Sequence, residues 1–129
     1  MSDICEIPAL NLIGVAQEQK CVTEATKIQL ICMAKREIVA EIDTKFERRM
    51  LHTIRYSEEY QILLAAGYEK KINLFEIHPK YLDSWLQGEL LGHESAITCF
   101  DIIRKTPTVV SADDRGKVKI WNIKRVEDQ

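Results

Sequence analysis

Seven residues near the end of the chain, Lys117-Val118-Lys119-Ile120-Trp121-Asn122-Ile123, recur in pattern as Lys71-Ile72-Asn73-Leu74-Phe75-Glu76-Ile77. They recur again as Lys27-Ile28-Gln29-Leu30-Ile31-Cys32-Met33. The copies stand 46 and 44 positions apart. Self-similarity at one period restricts a chain to repeat architectures, in which each unit buries its apolar face against the next. Polar and apolar residues alternate most clearly in the last copy, the period of a strand with one buried face. The flanks repeat too. Ile62 to Ala66 falls on Thr108 to Ala112, and Tyr68-Glu69-Lys70 falls on the polar turn before Lys117.

The last copy is the fullest. From Gly92 to Ile123 the chain runs through a Gly-His pair, an apolar run from Ala96 to Ile103 and a Thr106-Pro107 turn. A second apolar run from Thr108 to Ala112 follows, then the turn Asp113-Asp114-Arg115-Gly116 and the strand ending at Trp121. Three short strands joined by two turn signals predict an antiparallel meander. The stretch resembles a WD repeat, one blade of a β-propeller, with Trp121-Asn122 where that family usually has Trp-Asp. The interval of 28 residues from His93 to Trp121 fits the same family. The resemblance implies an all-β fold of antiparallel four-stranded blades, forming a partial propeller within a single domain, 1–129. The blades would span about 1–43, 44–91 and 92–129.

The earlier copies degrade. In the second, Phe46-Glu47 occupies the Gly-His position and Phe75 replaces the Trp. In the first, Ala9 to Ala16 and Gln19 to Thr23 stand as the first two strands. The stretch from Ala16 to Ile42 is rich in Ala, Glu, Gln, Lys and Met, good helix formers. The repeat register and the alternation at Lys27 to Leu30 favour strands over a helix there. Ile38 to Ile42 and Ser84 to Leu91 are the expected fourth strands, and Asp3 to Ile7 an isolated strand ahead of Pro8.

Composition narrows the function classes. With 46% hydrophobic and 29% charged residues, the chain reads as soluble and globular. A formal net charge of −2 gives no reason to expect nucleic acid or an anionic membrane as partner. No apolar run approaches the roughly 18 residues of a membrane-spanning helix. Nothing at the start has the pattern of a signal peptide. Cys5, Cys21, Cys32 and Cys99 have no metal-ligand spacing, so reduced, mostly buried thiols are expected and neither a metal nor a cofactor is. The expected location is cytoplasmic.

In the resembled family, the histidine, a Ser or Thr, an Asp and the Trp form a hydrogen-bonded chain inside the blade. By motif position this implies His93, Ser111, Asp114 and Trp121, a structural network with no catalytic residue. Asp114 is the least secure, since the usual position is Arg115. Blade turns of the family commonly dock partners, which makes Tyr68, Glu69, Asp113 and Arg115 the candidate partner-binding residues. The expected function is a non-enzymatic scaffold for protein–protein interaction. Repeats of EF-hand/WD-repeat ciliary proteins look most like the last copy, which implies a cytoskeletal or ciliary setting. The alternatives are a thiol enzyme built on Cys99 with His93 as base, or a non-functional propeller fragment. Closed propellers need about four to eight blades. The expectation is therefore a piece of a longer propeller, ahead of a homodimer and of completion by another WD-repeat chain.

Overall fold

A computed structural model describes residues 3–16, 27–44, 51–67, 70–77, 82 and 84–123. The described residues form eleven strands in three antiparallel sheets, with one 3-10 turn at Pro8–Leu10. The first sheet holds β1 (Asp3–Ile7), β2 (Leu12–Ala16), β3 (Lys27–Cys32) and β4 (Glu37–Asp43) in chain order. In the second sheet β5 (Leu51–Ser57), β6 (Ile62–Gly67), β7 (Lys71–Ile77) and β8 (Ser84–Leu91) follow the same order. The third has β9 (Ile97–Ile102), β10 (Thr108–Asp113) and β11 (Val118–Asn122), with residues 124–129 outside the described set. Each sheet is a meander, so every strand pairs with its neighbour in sequence. The chain is all-β.

The first sheet departs from the sequence expectation. Asp3–Ile7 is not isolated; it pairs with Leu12–Ala16 from Asp3↔Ala16 to Ile7↔Leu12 and is the sheet's first strand. Leu12–Ala16 is thus the second strand, not the end of a first strand starting at Ala9. The break falls where Pro8 opens a 3-10 turn that Asn11 closes at φ 55°. The proposed strand Gln19–Thr23 lies outside the described residues. Lys27–Cys32 and Glu37–Asp43 are strands, so the helix-forming composition is overridden there by cross-strand pairing.

Matching strand positions across the sheets explains the core. One face of each sheet, here the forward face, looks toward the next sheet in sequence. Leu12, Ala16, Ile28 and Leu30 of the first sheet pack forward on Leu63, Ala65, Phe75 and Ile77 of the second. Ile62, Leu64, Ala66, Ile72 and Leu74 pack forward on Phe100, Val109 and Ile123 of the third. The middle sheet is therefore covered on both faces. That is why Ile62-Leu63-Leu64-Ala65-Ala66 is apolar without alternation and fully buried, whereas β10 and β11 alternate. The sheets approach one another most closely at their first strands, β1 beside β5 and β5 beside β9.

Arg55 fastens that convergence. Its guanidinium lies 2.9 Å from Asp3 on β1 and 3.5 Å from Asp101 on β9, and Asp3 also accepts the Ile54 backbone N–H at 2.9 Å. The Arg55 side chain is 38% exposed and Asp101 79% exposed, so solvent screens the pairs and their value is registration more than stability. His52 adds a second tie, its Nε2 standing 2.8 Å from the Ile97 carbonyl oxygen.

Candidate functional site

In the third sheet, strand alternation sends Val109, Ser111 and Asp113 of β10 toward the second sheet. Trp121 stands across from Val109, and Phe100 across from Ser111. His93 enters from the segment before β9 and is 5% exposed. Its Nε2 is 2.6 Å from Ser111 Oγ and its Nδ1 2.9 Å from Asp113 Oδ2. The Trp121 indole N–H donates to the same Ser111 Oγ at 2.8 Å. A single proton arrangement satisfies every member: indole to serine, serine hydroxyl to His93 Nε2, and His93 Nδ1–H to the carboxylate.

The chain of bonds continues into the turn. Asp113 Oδ1 accepts the backbone N–H groups of Arg115 and Lys117, each at 3.0 Å. The Gly116 N–H closes on the Asp113 carbonyl at 3.0 Å, with Gly116 at φ +81°, where a side chain would be strained. The hydrogen bond from His93, with support from the Lys117 and Arg115 amides, holds the Asp113 carboxyl below the usual carboxylate range against the opposing effect of burial. Gly92, at φ +152°, has a packing reason to be glycine as well. A Cβ there would stand 3.2 Å from the Trp121 ring, so the Gly-His pair lets the indole close over the backbone.

His93, Ser111 and Trp121 thus come together as expected by motif position, and the carboxylate that joins them is Asp113. Asp114 is displaced by one position. It is exposed, accepts a hydrogen bond from Ser95 Oγ, and its N–H donates to Ala96 O at 3.0 Å. The cause is the strand period, since Asp113 shares the face of Ser111 whereas Asp114 begins the turn. Asp113 is 5% exposed, so it offers no surface to a partner. Arg115 is exposed at the turn tip, and Tyr68 and Glu69 lie outside the described residues. Trp85 lies in β8 across from Glu76, with its side chain outside the described set.

Serine, histidine and aspartate hydrogen-bonded in this order have the connectivity of a hydrolytic triad. The surroundings differ from what that chemistry needs. Ser111 is 1% exposed, and its oxygen is already engaged by the Trp121 N–H. Nor does Cys99 join His93. Across from Ala112, it projects from the opposite face to Ser111, while both His93 ring nitrogens are taken. Cys99 is exposed, contrary to the buried thiol expected, because alternation assigns the inward position to Phe100. Cys5 and Cys32 are half-buried, and burial pushes the Cys5 thiol up to about 12.

Among the described residues, no cluster of three His, Cys, Asp or Glu side chains could hold a metal ion. None of their helices is long and apolar enough to cross a membrane. A polar recess beside the first strands is lined by Arg55, Glu58, Glu59, Asp101 and Arg104, with both signs of charge interspersed. Sequence reading missed Asp3, Arg55 and Asp101, which join strands about 50 positions apart and follow no local pattern. The repeat register does contain one signal, because Arg55 and Asp101 occupy equivalent places across from Leu64 and Val110. No protein-family model matches the chain, and no curated protein is similar to it.

Proposed function

We propose that the chain is a three-blade WD-repeat segment serving as a non-enzymatic scaffold that holds another protein on its turn surface. The observation that carries this reading is the buried path from Trp121 through Ser111 and His93 to Asp113. It spends four chemistry-bearing side chains on fixing one turn. A reactive centre needs an accessible nucleophile, whereas a docking surface needs a turn that keeps its shape. Asp113 supplies that shape by gripping the backbone of Arg115 and Lys117 from beneath, leaving the Arg115 side chain presented outward. Lys70, in the equivalent turn of the second sheet, is exposed as well. A cytosolic protein of the cytoskeleton or cilium is the partner class that fits the ciliary resemblance of the last repeat.

The test is differential capture. Wild-type chain and a double variant, Arg115→Glu with Lys70→Glu, are used as baits in extract from the native cell and the captured proteins compared by mass spectrometry. A partner retained by the wild type and lost by the variant, with both baits melting at the same temperature, supports the reading. Identical capture by the two baits counts against the turn surface. Hydrolysis of generic ester or amide substrates that disappears in Ser111→Ala, or thiol chemistry lost in Cys99→Ser, would replace the scaffold by an enzyme.

A further inference from the structure

Each outermost face of the stack carries an apolar patch, bordered by Asp101 on the third sheet and by Glu6, Gln29 and Glu41 on the first. On the forward face of the third sheet, Val118 is 61% and Ile120 74% exposed, with Val110 and Ala112 half-buried beside them. Pairing fixes their equivalents in the second sheet: Val110 corresponds to Leu64, Ala112 to Ala66, Val118 to Ile72 and Ile120 to Leu74. Those four are among the residues that the second sheet buries against the third. The forward face of the third sheet is therefore built for burial under another sheet.

At the other end, the backward face of the first sheet carries Ile13, Val15 and Ile31, all half-buried. Register makes these equivalent to Val109, Ser111 and Trp121, of which Val109 and Trp121 pack against the forward face of the second sheet. Ile4, 62% exposed on β1, extends the same surface. Among the described residues, the chain thus bears both halves of one contact type at opposite ends. An unrelated partner would match one half; a second copy matches both.

We propose that a second copy of this chain docks head-to-tail, forward face of the third sheet on backward face of the first, at both ends. Two copies supply six sheets, within the roughly four to eight that close a propeller. The inference rests on the propeller reading above and names one partner for it. Head-to-tail contacts close into a ring only when the rotation per sheet allows, and otherwise run on as filaments. β1 beside β5 and β5 beside β9 put the first strands of successive sheets in one row, the row that would line the inside of such a ring.

The same register locates a contact across the new junction. Asp3 reaches the Ile54 backbone, and their equivalents are Cys99 of the third sheet and Ile4 of the first. Cys99 of one copy then lies beside Ile4 of the other.

Size exclusion with light scattering should give twice the chain mass of 14.9 kDa. Ile120→Glu and Ile4→Glu, both at exposed positions, should each reduce it to a single chain mass without altering the circular dichroism. Mixing the two variants should restore the doubled mass, because one of the two junctions then carries neither charge. A short bismaleimide should link the thiol introduced by Ile4→Cys to Cys99 between copies, and not in the Cys99→Ser background. A wild-type monomer, a species larger than two chains, or a dimer that either glutamate leaves intact overturns the proposal. A monomer that still melts cooperatively as a β-protein would leave the propeller reading standing, so the two failures are separable.

Discussion

Ser111→Ala is the most informative single change, because one atom of this chain serves two neighbours. Ser111 Oγ receives the Trp121 indole and stands 2.6 Å from His93 Nε2. Removing it leaves a buried ring nitrogen and an indole N–H without partners. A buried polar group left unsatisfied costs about 1–3 kcal/mol. His93 should bear that in full, whereas the half-buried Trp121 N–H recovers part of it from water. The sum is about 2–4 kcal/mol, a large share of the roughly 5–15 kcal/mol that stabilises a domain of this size. Urea denaturation followed by tryptophan fluorescence reads it directly. With a slope of about 2 kcal/mol per molar, the midpoint should fall by about 1–2 M. Ser111→Thr keeps the hydroxyl and should retain most of the stability. Trp121→Phe combined with Ser111→Ala should cost less than the two changes summed, since each removes the same bond. A stability for Ser111→Ala within about 0.5 kcal/mol of wild type, or strict additivity with Trp121→Phe, would refute the network as the organising element of the third sheet.

Leu63→Ala and Leu64→Ala should each destabilise by about 2–5 kcal/mol, because these adjacent residues are both fully buried against different sheets. Thermal melts showing one of them neutral would mean that one face of the middle sheet is open. Asp113, held below its ordinary carboxylate value, contributes stability that is present above the unfolded value of about 3.9 and lost as pH falls through the lower folded one. Stability measured from pH 5 downward should therefore drop in this acid window for wild type and flatten in Asp113→Asn. Cys5, pushed up to about 12 by burial, should resist alkylation at pH 8 in the folded chain and react on unfolding in urea, which labelling with mass readout will show. Lys117→Ala, at an exposed position, should change stability by less than about 0.5 kcal/mol, and Trp121→Ala by several times that.

The second and third sheets were legible because their strands obey one period and their turns contain strong signals. Lys71–Ile77 and Lys117–Ile123 share one residue pattern, and the strands at β7 and β11 follow. The first sheet was only partly legible. Asp3–Ile7 carries two acids among five residues, a composition that looks like a terminus until β2 is there to pair with it. The network was legible to within one residue. His93, Ser111 and Trp121 follow from motif spacing, but choosing between Asp113 and Asp114 required knowing where β10 ends, and strand ends are the least certain part of any sequence reading. Exposure of Cys99 is not legible for a related reason. An apolar run such as Ile97 to Ile102 does not say which of its alternating positions faces the core. The Arg55 ties had only the equivalence of Arg55 and Asp101 in the repeat register as a signal, since three separate strands bring the charges together.

In a single undocked chain, such as the Ile120→Glu variant, a stack coupled only between neighbours behaves like a short cooperative array, in which the central unit has two couplings and each outer unit one. The free energy needed to open a unit should follow that count. Amides of β6 and β7 should then exchange with solvent only through global unfolding, while those of the first and third sheets exchange through smaller, separate openings. Folding would likewise begin where the couplings meet, with Ile62 to Ala66 as the segment whose side chains are needed by both neighbours at once. Any ligand or protein that grips an end sheet would slow exchange across the whole array, even at amides it never touches.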